Sequence, residues 1–376
     1  MLIIIFTARH HAKWSAGPSN AIQKMHQGLV PRIGGLAIMC GLWFTVLIIG
    51  PLQVAPLVLA TTIASSVIFA IGFAEDLTSQ VGVLWRLALT FIPGLALAYY
   101  CGLSVSHLGL PLVDTLLAYP WVALLFTAFA LAGVTHAFNL IDGLNGLASY
   151  TALWILAAYG FLGYLYADHL IVQLSLLLFT PVLGFWLFNW PWGKCFLGDG
   201  GAYLLGFYLA WLGVVLTRSH EAISPFAPLL ICGYPIIEAL YSIARRTSKG
   251  ANSGIPDSEH LHQLVKIGLV RPWLKDHQHG SIRPNSVAGL LVSLISLPFI
   301  ALAVIFNTQQ GLLIALFLLE LALYVWLYQF IKAKIAAQTG LEDTGSKKTG
   351  LEQTGSDKTG SEEFRCNKIE HRHQIN

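Results

Sequence analysis

Ten apolar stretches decide what this chain can fold into. They lie near residues 36–53, 55–74, 84–104, 119–138, 147–166, 170–188, 201–217, 224–244, 285–306 and 311–331. A helix needs about 20 mainly apolar residues to cross a bilayer. In hydrocarbon every backbone N–H and C=O must also be paired within the protein. Helices packed as a bundle meet both conditions. Only 11% of the 376 residues are charged, against about 25% in a soluble domain. The expected fold class is therefore an all-α integral membrane protein with ten full transmembrane helices. Met1–Phe6 is apolar but too short to span, and it runs directly into the basic segment Thr7–Lys13. It reads as the end of a truncated first helix.

The charges orient the bundle. If residues 1–35 are cytoplasmic, ten spans return the C-terminus to the same side, and every Lys and Arg except Arg218 falls there. The opposite loops hold Asp114, Asp168 and Glu221. Cytoplasmic loops carry the Lys/Arg excess, so the basic face is the cytoplasmic one. Three parts are expected: residues 1–35, the polytopic region 36–332, and a tail, 333–376. In the tail Thr339–Lys348 (TGLEDTGSKK) nearly repeats as Thr349–Lys358 (TGLEQTGSDK). It is polar and lacks apolar periodicity, which predicts disorder. The five cysteines are scattered and form no CxxC, so neither a disulfide framework nor a zinc site is expected. Neither a GxxxxGK[ST] loop nor an HExxH motif occurs.

The unusual polar clusters all fall on the basic side: KMHQGLVPRIGGL at 24–36, GFAEDLT at 72–78, NLIDGLNGL at 139–147, NWPWGKCFLGDGG at 189–201 and DSEHLH at 257–262. Five clusters on one face predict one composite site built from loops and helix ends. A transporter more often places its polar site near the bilayer midplane, so this distribution favours an enzyme. Glu75 and Asp76 are adjacent at a helix end. Asp142 and Asn145 share a face if a helix has begun there. Asp199 lies among glycines, where it either caps the following helix or lets a phosphate approach the helix N-terminus. Together these oxygens suit a hard cation, which points to Mg²⁺, with Mn²⁺ as a substitute. Lys24, Arg32, Lys194, Arg245 and Arg246 supply positive charge, and His260 and His262 project the same way on an extended loop. Within the spans, Glu238 is two turns from Arg245 and Arg246 and is expected to pair along its own helix. Glu320 has no evident partner in the sequence.

PRIGGL, GFAEDLT, NLIDGLNGLA, FLGDGGAYLLGF and the HLH loop, in this order over residues 10–332, resemble the polyprenyl-phosphate N-acetylhexosamine-1-phosphate transferases. That superfamily includes phospho-N-acetylmuramoyl-pentapeptide transferase and the enzymes that start O-antigen and enterobacterial common antigen synthesis. The HLH ending is similar to the O-antigen-type branch. The resemblance implies transfer of a sugar 1-phosphate from a UDP-sugar to undecaprenyl phosphate in a bacterial inner membrane, with the site and the C-terminus cytoplasmic. The sugar implied is an N-acetylated hexosamine or 6-deoxyhexosamine. Glu75, Asp76, Asp142 and Asp199 match the family's catalytic acids, with Glu75 standing where Asp is usual. Asp199, Asn145 and Asp76 are the implied metal ligands, Asp199 foremost. Asn189 and Phe196 match uridine contacts, and Asn139 and Asp142 lie near the nucleotide. Lys24, His260 and His262 match positions near the diphosphate, and Arg246 is expected among the substrate-binding residues. No nucleic-acid partner is expected; a homodimer is compatible with the sequence.

Overall fold

The computed structural model describes residues 1–6, 30–49, 55–78, 82–248, 259–275 and 282–352, with backbone only at 49, 83, 282 and 339–352. The described residues are all-helical. A short α1 (Leu2–Phe6) precedes α2 (Gly34–Ile49), α3 (Pro56–Thr78), α4 (Val83–Cys101) and α5 (Pro111–Leu117). Next come α6 (Pro120–Ile141), α7 (Leu147–Leu165), α8 (His169–Asn189) and α9 (Gly198–Ser219). The rest comprises α10 (Phe226–Ile231), α11 (Gly233–Ser248), α12 (Leu261–Val265), α13 (Arg271–Leu274), α14 (Ile282–Ile305) and α15 (Gln310–Glu352). The chain divides into two units, 1–331 and 332–376.

Eight of the described helices are long and apolar enough to cross a membrane: α3, α4, α6, α7, α8, α9, α14 and α15. Of the ten stretches marked by hydropathy, eight meet this criterion. Of the other two stretches, α2 has only 16 residues. The stretch at 224–244 is broken into α10 and α11. Pro235 has no N–H to offer the Ile231 carbonyl one turn back, and Gly233 sits at the joint. A Cβ on Gly233 would collide with the carboxylate of Glu320 from α15, so this buried acid lies against the break.

Helix ends are tied at both levels of the bundle. At the end remote from the polar motifs, Tyr166 OH donates to Asn307 Oδ1 (2.6 Å) and Ser224 N–H to Asn307 O (2.9 Å). Asp168 caps α8 and holds His220 at 2.9 Å. Lipid tails provide no hydrophobic drive between helices, so close packing and hydrogen bonds must join them. The central helix α9 uses both. Tyr203, Phe207, Tyr208 and Trp211 are fully buried. Trp211 Nε1 donates to Thr61 Oγ1 and Tyr208 OH to Leu174 O, each at 2.9 Å. Gly206 rests on the backbone of Val134 and Thr135 in α6.

Candidate active site

The site is organised around the first turn of α9. Before it, the CFLGD segment pairs with PRIGGL through three backbone hydrogen bonds. Phe196 N–H donates to Pro31 O (2.9 Å), Gly34 N–H to Phe196 O (2.8 Å) and Gly35 N–H to Leu197 O (2.9 Å). The chain then turns into α9 at Gly198, whose φ of +78° is natural only for glycine; the Arg32 carbonyl occupies the place a Cβ would take. Asp76, at the end of α3, takes the Asp199 N–H on Oδ1 and the Gly200 N–H on Oδ2, both at 2.9 Å. A carboxylate there satisfies two otherwise unpaired helix donors and meets the positive end of the helix dipole.

Asp199 faces guanidinium groups on both of its oxygens: Arg32 lies 3.8 Å from Oδ1 and Arg86 3.9 Å from Oδ2. Arg86 is also 3.7 Å from Glu75. These distances exceed the roughly 2.7–2.9 Å of a charge-assisted hydrogen bond, so the contacts are ion pairs at longer range. Asp142, the residue that ends α6, accepts the Gly198 N–H and feels Arg32, Asp199 and Asp76. All four predicted acids are thus brought to one place. Burial pushes the Asp142 carboxyl up to about 8; Arg32 opposes the rise, and Asp199 and Asp76 add to it.

That raised value has a measurable consequence. A divalent cation bound beside Asp142 would have to displace the proton this carboxyl holds at neutral pH, so its affinity would rise with pH up to about 8 and level off above it. The increase in melting temperature produced by Mg²⁺ is expected to be larger at about pH 8.5 than at about pH 6.5. Equal increases at both would show that Asp142 does not ionise on cation binding.

The expected nucleotide-side residues lie beside these acids, and several are engaged by the fold. Asn189 is buried; its Oδ1 accepts from Gly146 N–H (2.6 Å) and its Nδ2 donates to Cys195 O (2.9 Å). It joins the NLIDGLNG loop to the segment before α9. Asn145 is also buried, with Nδ2 donating to Ser286 Oγ at 3.3 Å and Oδ1 left without a partner. Ser286 in turn donates to Pro191 O, and Trp190 Nε1 donates to Ser286 O. Asn139 and Phe196 are half-buried at the edges of the same loops. Lys194 is exposed, its Nζ 5.1 Å from the Trp192 ring centroid.

On the histidine arm, His260 and His262 stack in parallel with ring centroids 5.5 Å apart. His262 lies against Gly143, beside Asp142, where any Cβ would strike its ring. Burial lowers the His262 ring to about 4, with Glu238 opposing and His260 and Lys266 assisting, so it is neutral at physiological pH. His260 Nδ1 is 3.0 Å from Glu238 Oε1, and Ser242 Oγ lies 3.3 Å from the same nitrogen. Glu238 therefore partners His260, not an arginine of its own helix, and Arg245 pairs with Glu259 at 3.1 Å. Arg246 is half-buried in the last turn of α11. Lys24 and Asp257 lie outside the described residues.

Sequence reasoning passed over Arg86, although it is the only Lys or Arg between Arg32 and Lys194. It also overlooked Ser286, a plain serine inside an apolar span, which carries no signal of its own.

Among the described residues no three His, Cys, Asp or Glu side chains converge into a ready-made metal cage. Mg²⁺ rarely uses one; it is held by one or two carboxylates, waters and substrate phosphates. The acids around α9, with a buried unpartnered amide oxygen on Asn145, fit that donor set.

A helical membrane bundle that gathers acids and phosphate-complementary cations at one end belongs to the class of integral membrane transferases. Residues 58–217 match the model of Glycosyl transferase family 4. The chain is 31% identical over 257 residues to the probable undecaprenyl-phosphate N-acetylglucosaminyl 1-phosphate transferase of Bacillus subtilis (strain 168), covering 67% of this chain and 70% of that protein. It is 27% identical over 248 residues to the undecaprenyl-phosphate alpha-N-acetylglucosaminyl 1-phosphate transferase of Yersinia pestis, covering 65% and 67%. The same identity holds over 249 residues with the enzyme of that name from Escherichia coli (strain K12). The chain belongs to glycosyl transferase family 4, the polyprenyl-phosphate sugar-1-phosphate transferases.

Proposed function

We propose that this protein transfers N-acetylglucosamine 1-phosphate, or a closely related N-acetylated hexosamine 1-phosphate, from its UDP-sugar to undecaprenyl phosphate, releasing UMP. The observation that carries the reading is the acid cluster at the start of α9, flanked by Arg32 and Arg86. The names of the relatives supply the acceptor and the transferred group, and the UDP-sugar donor is the one the motif resemblance implies. Loops at one end, rich in Lys and Arg, favour a cytoplasmic site in a bacterial inner membrane. The ties between helix ends at both levels favour ten crossings, with α2 and the α10–α11 pair completing the alternation.

In this mechanism a phosphate oxygen of the lipid attacks the β-phosphorus of the UDP-sugar and the bond to UMP breaks. Phosphoryl transfer asks the protein mainly for positioning and charge stabilisation. Asp199 and Asp76, with Asn145 and Asp142 nearby, would hold Mg²⁺, which neutralises charge on the leaving group when bound. Asp76 fixes the first turn of α9 and with it Asp199. Asn189 sets the loop that presents Asp142, while Phe196 offers its ring for stacking on the uracil. Glu238 holds His260 by its Nδ1, which orients the histidine proposed to face the diphosphate. UMP release by purified protein, measured with undecaprenyl phosphate, Mg²⁺ and UDP-N-acetylglucosamine, tests this directly. UMP is expected only when all three are present. Release without the lipid would replace direct transfer by a covalent phospho-enzyme route.

A further inference from the structure

Arg86 lies at the edge of the acid cluster that faces lipid. It stands in the first turn of α4, half-buried. Its neighbours Leu84 and Trp85 are 81% and 70% exposed, and Ile92 further along is 60% exposed. An apolar face open in this way, with a Trp at the motif end of a span, suits contact with lipid tails and headgroups. Inward, the guanidinium reaches toward Glu75 and Asp199 but stays 3.7 and 3.9 Å from them. The Tyr203 side chain also reaches this guanidinium; with five donors in a fixed fork and the two carboxylates at longer range, donors are left to receive a further anion.

The two arginines approach opposite oxygens of the Asp199 carboxylate. Arg32, in the loop before α2, is 45% exposed on its side chain and faces Oδ1; Arg86 is 24% exposed and faces Oδ2 from α4. In-line transfer brings the attacking and leaving oxygens in from opposite directions. One cation on the loop side and one on the lipid side of a shared acid match that requirement.

We propose that Arg86 binds the phosphate monoester of the lipid acceptor as it enters from the bilayer. This assignment rests on the transferase reading and adds to it the acceptor side of the site. A lone guanidinium that only balanced the acids would treat donor and acceptor alike, whereas an acceptor anchor would not.

The test compares wild type with Arg86→Ala and Arg86→Lys in full-length protein. Arg86→Ala is expected to raise KM for undecaprenyl phosphate at least tenfold and to leave KM for the UDP-sugar within twofold. Arg86→Lys, which keeps the charge without the fork, should recover part of the loss. A rise in the UDP-sugar KM with the lipid KM unmoved would place Arg86 on the donor side and overturn the proposal. A fall in kcat with neither KM changed would reduce Arg86 to charge balance and also overturn it. Native mass spectrometry supplies a readout independent of turnover. Wild type should retain undecaprenyl phosphate over undecaprenol, inorganic phosphate should not displace it, and Arg86→Lys should keep this preference more weakly while Arg86→Ala loses it. Equal retention of both lipids by wild type would refute the anchor even if UMP release were observed. Selective retention without UMP release would leave the anchor standing and fault the transferase reading instead.

Discussion

Asp199→Asn is expected to lower kcat by about 10³-fold while leaving the melting temperature of the purified protein unchanged or slightly raised. The fold uses the backbone of this residue, not its carboxylate: the Asp199 N–H caps on Asp76, and an amide side chain leaves that bond intact. The carboxylate itself faces only loosely placed guanidinium groups. It also adds to the crowding of negative charge that raises Asp142. Substitution relieves repulsion and removes the best oxygen donor for a cation, so activity and stability separate. Asp76→Ala is the contrast. It deletes two cap bonds, which costs about 1–2 kcal/mol, so activity and melting temperature should fall together. An Asp199→Asn enzyme within tenfold of wild type would remove Asp199 from the metal-holding role.

Gly72→Val should unfold or inactivate the protein by prising α3 from α9. A Cβ at Gly72 would sit 2.6 Å from Asp199 O and 2.7 Å from Gly200 Cα. These are backbone atoms of a helix start, and no side chain can swing aside. The helices must part, and the two hydrogen bonds from the Asp199 and Gly200 amides to Asp76, four residues further along α3, break with them. Overpacking of this kind costs about 1–3 kcal/mol and loss of the cap about 1 more. The measurement is thermal unfolding in detergent with and without Mg²⁺. A variant that keeps the wild-type melting temperature and its Mg²⁺ response would show that the α3–α9 contact is more yielding than its geometry indicates.

Much of the site was legible because polar residues are expensive near hydrocarbon and so stand out against apolar spans. GFAEDLT, NLIDGLNGL and FLGDGG announced themselves in this way, and the structure brings their acids together. What stayed hidden depends on contacts between distant segments. Glu238 finds His260 through the fold, 22 residues along the chain, whereas its spacing from Arg245 and Arg246 suggested a partner on its own helix. Arg86 was isolated among apolar residues and resembled a mere marker of a helix end. At 224–244 hydropathy marked one apolar stretch but not the interruption within it. Pro235 and the joint at Gly233 interrupt a helix that composition alone leaves continuous. Asn189 also ties two loops through both ends of its amide, a role that residue type does not convey.

The double hydrogen bond on Asp76 bears on which nucleophiles this enzyme can accept. Each of its oxygens already receives an amide N–H, and Asp142 keeps its own proton at neutral pH. An alcohol would need a base to take its hydrogen. A phosphate monoester, with its second ionisation near pH 6, arrives with that hydrogen already gone. The free polyprenol of the same chain length brings neither a phosphate for Arg86 to hold nor an ionised oxygen, so it would be refused once at binding and again at reaction.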